Sequence, residues 1–325
     1  MASRVFPALR KVNPYYATDY GEAWLGDARR LLKLIPDNSV DLIMTSPPYA
    51  LLKQKQYGNE AAEKYIQWFR PFAREFYRIL ADEGSFILNI SGSWNEGAPT
   101  KSLYQYKLLL DLCDPQSKSP RRYRFHLAQE FYWFNPAKMP NPVQWVNVER
   151  IRVKEAVEYV WWLSKNERPR ANNRKVLTAY SESMKKLIRR GTYNYGMRPS
   201  GWNVGKHWNA DNRGAIPPNF LPVQLIDPPL NVLIESNTVS NDAFRRKCRE
   251  LGETAHPASF PAYIPAFFIE FLTESNDVVV DPFAGSNTTG KVADDMKRRW
   301  VSVESTEQYL RASRLRWCTD EGKQT

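Results

Sequence analysis

The chain has 325 residues, room for about two domains or for one large α/β domain carrying an insert. With 42% hydrophobic and 25% charged residues it is not disordered, collagen-like or a coiled coil, and no run of about 18 apolar residues offers a membrane span. The net charge of +11, from 46 Lys and Arg against 35 Asp and Glu, favours a polyanionic partner, chiefly nucleic acid.

The opening MASRVFPALRK lacks the apolar core of a secretory signal. Cys113, Cys248 and Cys318 stand far apart, with no CxxC pair and no disulfide framework. We therefore expect a reducing, cytoplasmic setting without membrane contact. His126, His207 and His256 lack metal-ligand spacing, so no metal is expected.

The first third alternates strand and helix. Glu22 to Gly26 reads as a short apolar strand ending in Gly26-Asp27, and Ala28 to Leu34 has helical spacing. VDLIMT, Val40 to Thr45, is a strand of the buried parallel type and runs into Ser46-Pro47-Pro48-Tyr49. Glu63 to Leu80 sets Tyr65, Trp68, Phe69, Phe72, Phe76 and Leu80 at helical spacing, with Gly84 as its stop and SFILNIS as the next strand. This rhythm predicts a parallel sheet.

From about Pro115 to Asn237 the rhythm fades. Phe125 to Phe134 and Ala156 to Ser164 read as an edge hairpin of the same sheet. Between Ile151 and Arg213, 14 Lys and Arg stand against 5 Asp and Glu, which concentrates most of the excess charge in about a fifth of the chain. Tyr180, Tyr193, Tyr195, Trp202 and Trp208 are interleaved with them. Basic side chains find phosphates, and planar ones stack on bases or line groove contacts. We expect residues 166–245 to be a target-recognition region between a catalytic part, 1–165, and a cofactor part, 246–325. Arg189, Arg190, Arg198, Lys206 and Arg213 are its candidate DNA contacts.

The C-terminal stretch returns to α/β. Ala262 to Leu272 reads as a helix, DVVV as a strand from Asp277 to Val280, Lys291 to Arg299 as a helix and Trp300 to Val303 as a strand ending in Glu304. Strand, glycine turn, helix and a second strand with a carboxylate at its tip form the nucleotide-binding half of a doubly wound fold. Gly285 permits close backbone approach, and Glu304, 19 residues on, can chelate ribose hydroxyls. The turn has no Walker lysine, and Asp281 within it would repel phosphates. A cationic or zwitterionic ligand such as S-adenosylmethionine suits it.

DPFAGSNTT resembles the cofactor motif of the DNA amino-methyltransferases, and TSPPY resembles their catalytic motif. The order catalytic motif, recognition region, cofactor motif is that of their beta group, and GDARRLLKLIPDNSVDLIMTSPPYA, FYWFNPAKMPNPVQWVN, WWLSK and HPASFPAYIPAFFI extend the likeness over most of the chain, toward the PvuII-type N4-cytosine branch. The resemblance implies a circularly permuted Rossmann-like sheet, with the tips at Asp27, Ser46, Asp281 and Glu304 meeting at one edge. It implies S-adenosylmethionine as cofactor, held by Asp281, Phe283, Gly285, Ser286, Asn287, Thr288 and Glu304. Asp27 would sit near the adenine, where it could equally cap the next helix. His256 and Phe260, in the segment His256 to Pro261, would close over the methionine end, and Phe131 to Pro136 would border the target base. Double-stranded DNA is the implied partner, with a restriction endonuclease of the same specificity as a second.

The catalytic motif has a chemical reading. The lone pair of an exocyclic amine is delocalised into its ring. Acceptors on both N–H groups, Ser46 Oγ and the Pro47 carbonyl, would localise it toward a sulfonium methyl. Pro47 and Pro48 fix the backbone, and Tyr49 would stack on a base flipped from the duplex. Transfer would be a direct displacement governed by positioning. No cysteine follows a proline, which argues against a C5-cytosine enzyme. Ser at the first motif position resembles the N4-cytosine set; adenine N6, or an RNA or protein amine, are the alternatives. Asp227-Pro228-Pro229-Leu230 imitates an adenine-type motif, but Leu230 cannot stack on a base, so it reads as a loop.

Overall fold

A computed structural model describes residues 5–6, 13–50, 60–114, 123–135, 138–205, 207, 209–222, 237–258 and 261–318, with only the backbone at 222 and 237–242. In chain order its strands are β1 (Tyr16–Ala17), β2 (Gly21–Leu25), β3 (Val40–Thr45), β4 (Leu80–Ile90), β5 (His126–Phe134), β6 (Val157–Ser164), β7 (Gly196–Met197), β8 (Asn203–Val204), β9 (Phe220–Pro222), β10 (Val278–Asp281) and β11 (Arg299–Glu304). Its α-helices are α1 (Ala28–Leu31), α2 (Tyr65–Ile79), α3 (Tyr104–Cys113), α4 (Glu182–Arg190), α5 (Asn237–Glu250), α6 (Tyr263–Leu272), α7 (Thr288–Asp295) and α8 (Glu307–Ser313).

Nine strands make one sheet in the order β1-β2-β11-β10-β3-β4-β6-β5-β9. The five from β2 to β4 are mutually parallel, so their carboxyl ends share one edge. β6 runs antiparallel to both β4 and β5. The seam between β10 and β3 pairs Val279 with Leu42 and Val280 with Ile43, joining the end of the chain to its beginning. This is the circular permutation expected from the motif order.

Both faces of the sheet are covered, which explains why β3 is apolar almost throughout. Leu42 and Met44 pack with Phe267 and Phe268 of α6 and Val292 of α7, while Val40 and Ile43 pack with Phe69, Phe72 and Phe76 of α2. Each such side chain contributes about 1.5–3 kcal/mol by leaving water. α2 ends earlier than expected: Leu80 is already extended and pairs with Val40, so Gly84 belongs to the next strand instead of stopping the helix. α7 starts three residues early because Asn287 caps it, accepting from Gly290 N at 3.1 Å. The β5–β6 hairpin is not the edge of the sheet, since β9 pairs beyond β5.

The basic stretch is anchored at both ends. Arg170 bridges Asp41 and Asp277 under the sheet, and Val176 joins the core. Thr178 and Ala215 then exchange two backbone hydrogen bonds of 2.9 Å. The excursion they close carries α4, which buries none of its residues, and the β7–β8 ribbon. Among the described residues no helix is long and apolar enough to cross a membrane.

Candidate active site

A cavity of about 560 Å³ opens at the carboxyl edge of the parallel strands. Asp27, Ser46, Pro47, Pro48, Tyr49, His256, Asp281, Phe283, Gly285, Thr288 and Glu304 all line it. The four strand tips therefore meet, at the point where the strand order reverses, the usual ligand site of an open α/β sheet.

The acidic end is built by the turn after β10. Asp281 is buried; its Oδ1 accepts from Thr45 Oγ1 at 2.7 Å and Phe283 N at 3.1 Å, and its Oδ2 accepts from Thr289 Oγ1 at 2.8 Å. Burial, outweighing these bonds, pushes its carboxyl up to about 6. Glu304 Oε2 accepts from Gly285 N and Oε1 from Thr306 N, both at 2.8 Å. Gly285 has φ +52, and a Cβ there would lie 3.2 Å from the His256 ring, so the backbone forms a close-walled cradle. The His256 ring stands edge-on to Tyr309, and burial lowers its basicity. Phe283 packs against Trp68 and Phe72 of α2.

Two expected cofactor residues turn away from the cavity. Asn287 is fully buried; its Oδ1 accepts from Gly290 N and Ser302 Oγ, and its Nδ2 donates to Tyr16. Its place is to shape the turn, because every polar atom of its amide is used there. Ser286 is also buried and its Oγ has no hydrogen-bond partner. Asp27 accepts from Arg29 N at 2.8 Å as the N-cap of α1, and the Arg29 guanidinium at 2.7 Å holds its carboxyl below the usual range. Phe260, Pro136 and the Asp227–Leu230 loop lie outside the described residues.

The catalytic motif leaves β3 and is braced from below. Tyr65, fully buried on α2, donates to the Pro48 carbonyl at 2.9 Å. The Tyr49 hydroxyl lies 3.0 Å from Ser46 Oγ, 2.9 Å from Asn89 Oδ1 and 2.9 Å from Glu158 Oε2. Burial first, then the adjacent Glu158 carboxylate, raises the Tyr49 phenol well above its ordinary range. Glu158 in turn pairs with Lys138 at 3.1 Å. Asn89, Glu158 and Lys138 were not anticipated. For Glu158 a signal existed: a lone acid near the start of an otherwise apolar strand.

The basic candidates spread over separate elements. Arg189 and Arg190 are exposed in the last turn of α4. Arg198 follows the β7 strand, stacks over Tyr193 and donates to Asn194 O at 2.9 Å. Arg213 lines a groove with Arg174, Tyr180 and His207. Lys206 and Trp208 lie outside the described residues. Among the described residues no group of His, Cys, Asp and Glu could hold a metal ion.

The DNA methylase family model with the N6/N4 methyltransferase heading matches residues 40–314. The type II methyltransferase M.PvuII of Proteus hauseri is 44% identical over 306 residues, 94% of this chain and 85% of that protein. M.ScaI of Streptomyces caespitosus is 27% identical, covering 91% of this chain and 81% of its own. The solved structure of the PvuII DNA methyltransferase, described as cytosine-N4-specific, superposes with a TM-score of 0.72 and 36% identity over 96% of this chain and 91% of the other.

Proposed function

The chain belongs to the N6/N4 DNA methylase family, and on that premise we propose that it is a sequence-specific DNA methyltransferase acting on cytosine N4 with S-adenosylmethionine as donor. The observation that carries the reading is that Ser46-Pro47-Pro48-Tyr49 shares one cavity with the Asp281 turn and Glu304. The likeness to an enzyme described as cytosine-N4-specific, and serine at the first motif position, favour cytosine over adenine.

The donor suits this cavity. The turn at Gly285 is a cradle that a side chain would fill, and the ionisable groups of the two strand tips that flank it, Asp281 and Glu304, are carboxylates. When bound, S-adenosylmethionine supplies an electrophilic methyl group on a sulfonium. Glu304, already oriented by two backbone N–H groups, would accept from the ribose hydroxyls. Asp27 would lie toward the donor's adenine end and His256 toward its methionine end, both as lining residues of the cavity.

Ser46 Oγ and the Pro47 carbonyl accept the two amine hydrogens of a flipped cytosine and localise the nitrogen lone pair. The Tyr49 ring stacks on the base while its hydroxyl stays anchored behind it. Positioning of this kind supplies several kcal/mol of the barrier reduction, roughly 7–11 at its limit. No covalent nucleophile is needed, and no cysteine lines the described cavity.

The recognition region of this reading is residues 166–245, with Arg189, Arg190, Arg198 and Arg213, in the excursion between Thr178 and Ala215, as its candidate duplex contacts and Lys206 as a further candidate from the sequence alone. A cytoplasmic enzyme of a restriction–modification pair, with an endonuclease of the same specificity, completes the reading. Incubation with methyl-labelled donor and either duplex DNA or RNA tests it. Label is expected in duplex DNA; label in RNA or protein alone overturns it.

A further inference from the structure

The Tyr49 hydroxyl has one hydrogen and three oxygen neighbours. Two of them can only accept: Glu158 Oε2 and Asn89 Oδ1, the latter fixed in orientation because Asn89 Nδ2 donates to Tyr159 O at 3.1 Å. The phenol must therefore spend its hydrogen on that pair. The third contact, to Ser46 Oγ at 3.0 Å, then needs Ser46 as its donor. With its own hydrogen committed to Tyr49, Ser46 Oγ presents only lone pairs to the cavity. Glu158 anchors this polarity from β6, 8% exposed and bound on its other oxygen to Lys138.

Resting on the function proposed above, we propose that Glu158 is a positioning residue that acts through Tyr49, forcing Ser46 to be a pure acceptor toward the target amine and taking up the proton that the methylated nitrogen loses. The balance is simple. The N4 lone pair attacks the methyl carbon, the C–S bond breaks with its electrons on sulfur, and the N4–C bond forms. The excess proton on N4 passes to Ser46 Oγ as Ser46 gives its own to Tyr49 Oη and Tyr49 gives its own to Glu158 Oε2. N4 ends neutral, sulfur ends as a thioether and Glu158 ends as a carboxylic acid that loses its proton to water between turnovers.

The test uses the full-length enzyme and the isosteric variants Glu158→Gln, Tyr49→Phe and their double. Each should keep its thermal midpoint and bind donor and DNA within about twofold of wild type. Single-turnover methylation should fall roughly 10- to 100-fold in each, and the double should be no slower than Tyr49→Phe. A second reading needs no turnover: binding, without donor, of duplexes carrying cytosine or uracil at the target position. Uracil offers an acceptor where cytosine offers a donor, so wild type should prefer cytosine, and Tyr49→Phe, which frees the Ser46 hydrogen, should lose at least about fivefold of that preference. Glu158→Gln at wild-type rate, single effects that multiply in the double, or an unchanged preference in Tyr49→Phe would each overturn the relay. Failure of wild type itself to methylate cytosine N4 would instead overturn the proposed function, and the uracil comparison would still report on the hydrogen-bond direction.

Discussion

Thr45 donates its hydroxyl hydrogen to Asp281 Oδ1 at 2.7 Å across 236 positions of sequence. The bond ties the last residue of the catalytic strand to the last residue of the cofactor strand, where a strand from the end of the chain pairs with one from its beginning. Catalytic motif and cofactor turn thus share one acid.

If that acid holds the donor as proposed, donor binding should depend on pH. Burial raises Asp281 to about 6, so the folded protein holds this proton more tightly than the unfolded chain does. Its stabilising contribution is complete below about pH 4 and is lost as pH rises through about 6, amounting to roughly 3 kcal/mol. Above pH 6 the turn carries its negative charge, so a cationic donor should bind more tightly as pH rises through that value. Calorimetric titration from pH 5 to 7 should show this step in wild type and its loss in Asp281→Asn.

Ser46→Ala should keep donor and DNA affinity while kcat drops at least about tenfold. An acceptor that acts mainly as the nitrogen lone pair localises contributes to the transition state more than to binding. Quench-flow rates beside equilibrium binding make the comparison, and near-wild-type turnover would take Ser46 out of the reaction.

Glu304→Ala should weaken the donor far more than DNA. It would remove the proposed ribose acceptor and also release the Gly285 and Thr306 N–H groups that Glu304 now orders. A loss of about 1.5–3 kcal/mol in donor binding is expected for a charge-assisted site. Unchanged donor affinity would leave Glu304 as a brace of the turn only.

Arg189, Arg190, Arg198 and Arg213 separate by their salt response. Alanine at a phosphate contact should weaken all duplexes alike and lower the salt slope by about one; alanine at a base contact should cost about 1–3 kcal/mol at one position and relax specificity there. Binding of cognate and scrambled duplexes at several salt concentrations distinguishes them. If all four leave both unchanged, the recognition surface lies elsewhere.

The sheet was legible because β3, β10 and β11 are buried on both faces and end at the cavity, which periodicity and a few turn residues report. The edges were not. β9 is three residues long, and Phe220 pairs with Tyr132 only because the excursion returns there. Helix α3 went unseen because nothing in its sequence announces which side packs, and Gly84 misled because bulged strands use glycine too. In the site, single-strand motifs gave Ser46, Asp281 and Glu304. Asn89, Lys138 and Glu158 come from three other segments and converge only in space, while Asn287, next to real lining residues, turns inward to cap α7.

The central claim is transfer to cytosine N4 at one sequence, and nucleoside mass spectrometry with context mapping of plasmid DNA methylated by the purified enzyme tests it most directly. The account predicts N4-methylcytosine confined to a single short sequence and formed at least about tenfold more slowly when Ser46→Ala replaces wild type. N6-methyladenine as the product, or N4-methylcytosine scattered without context, would contradict it.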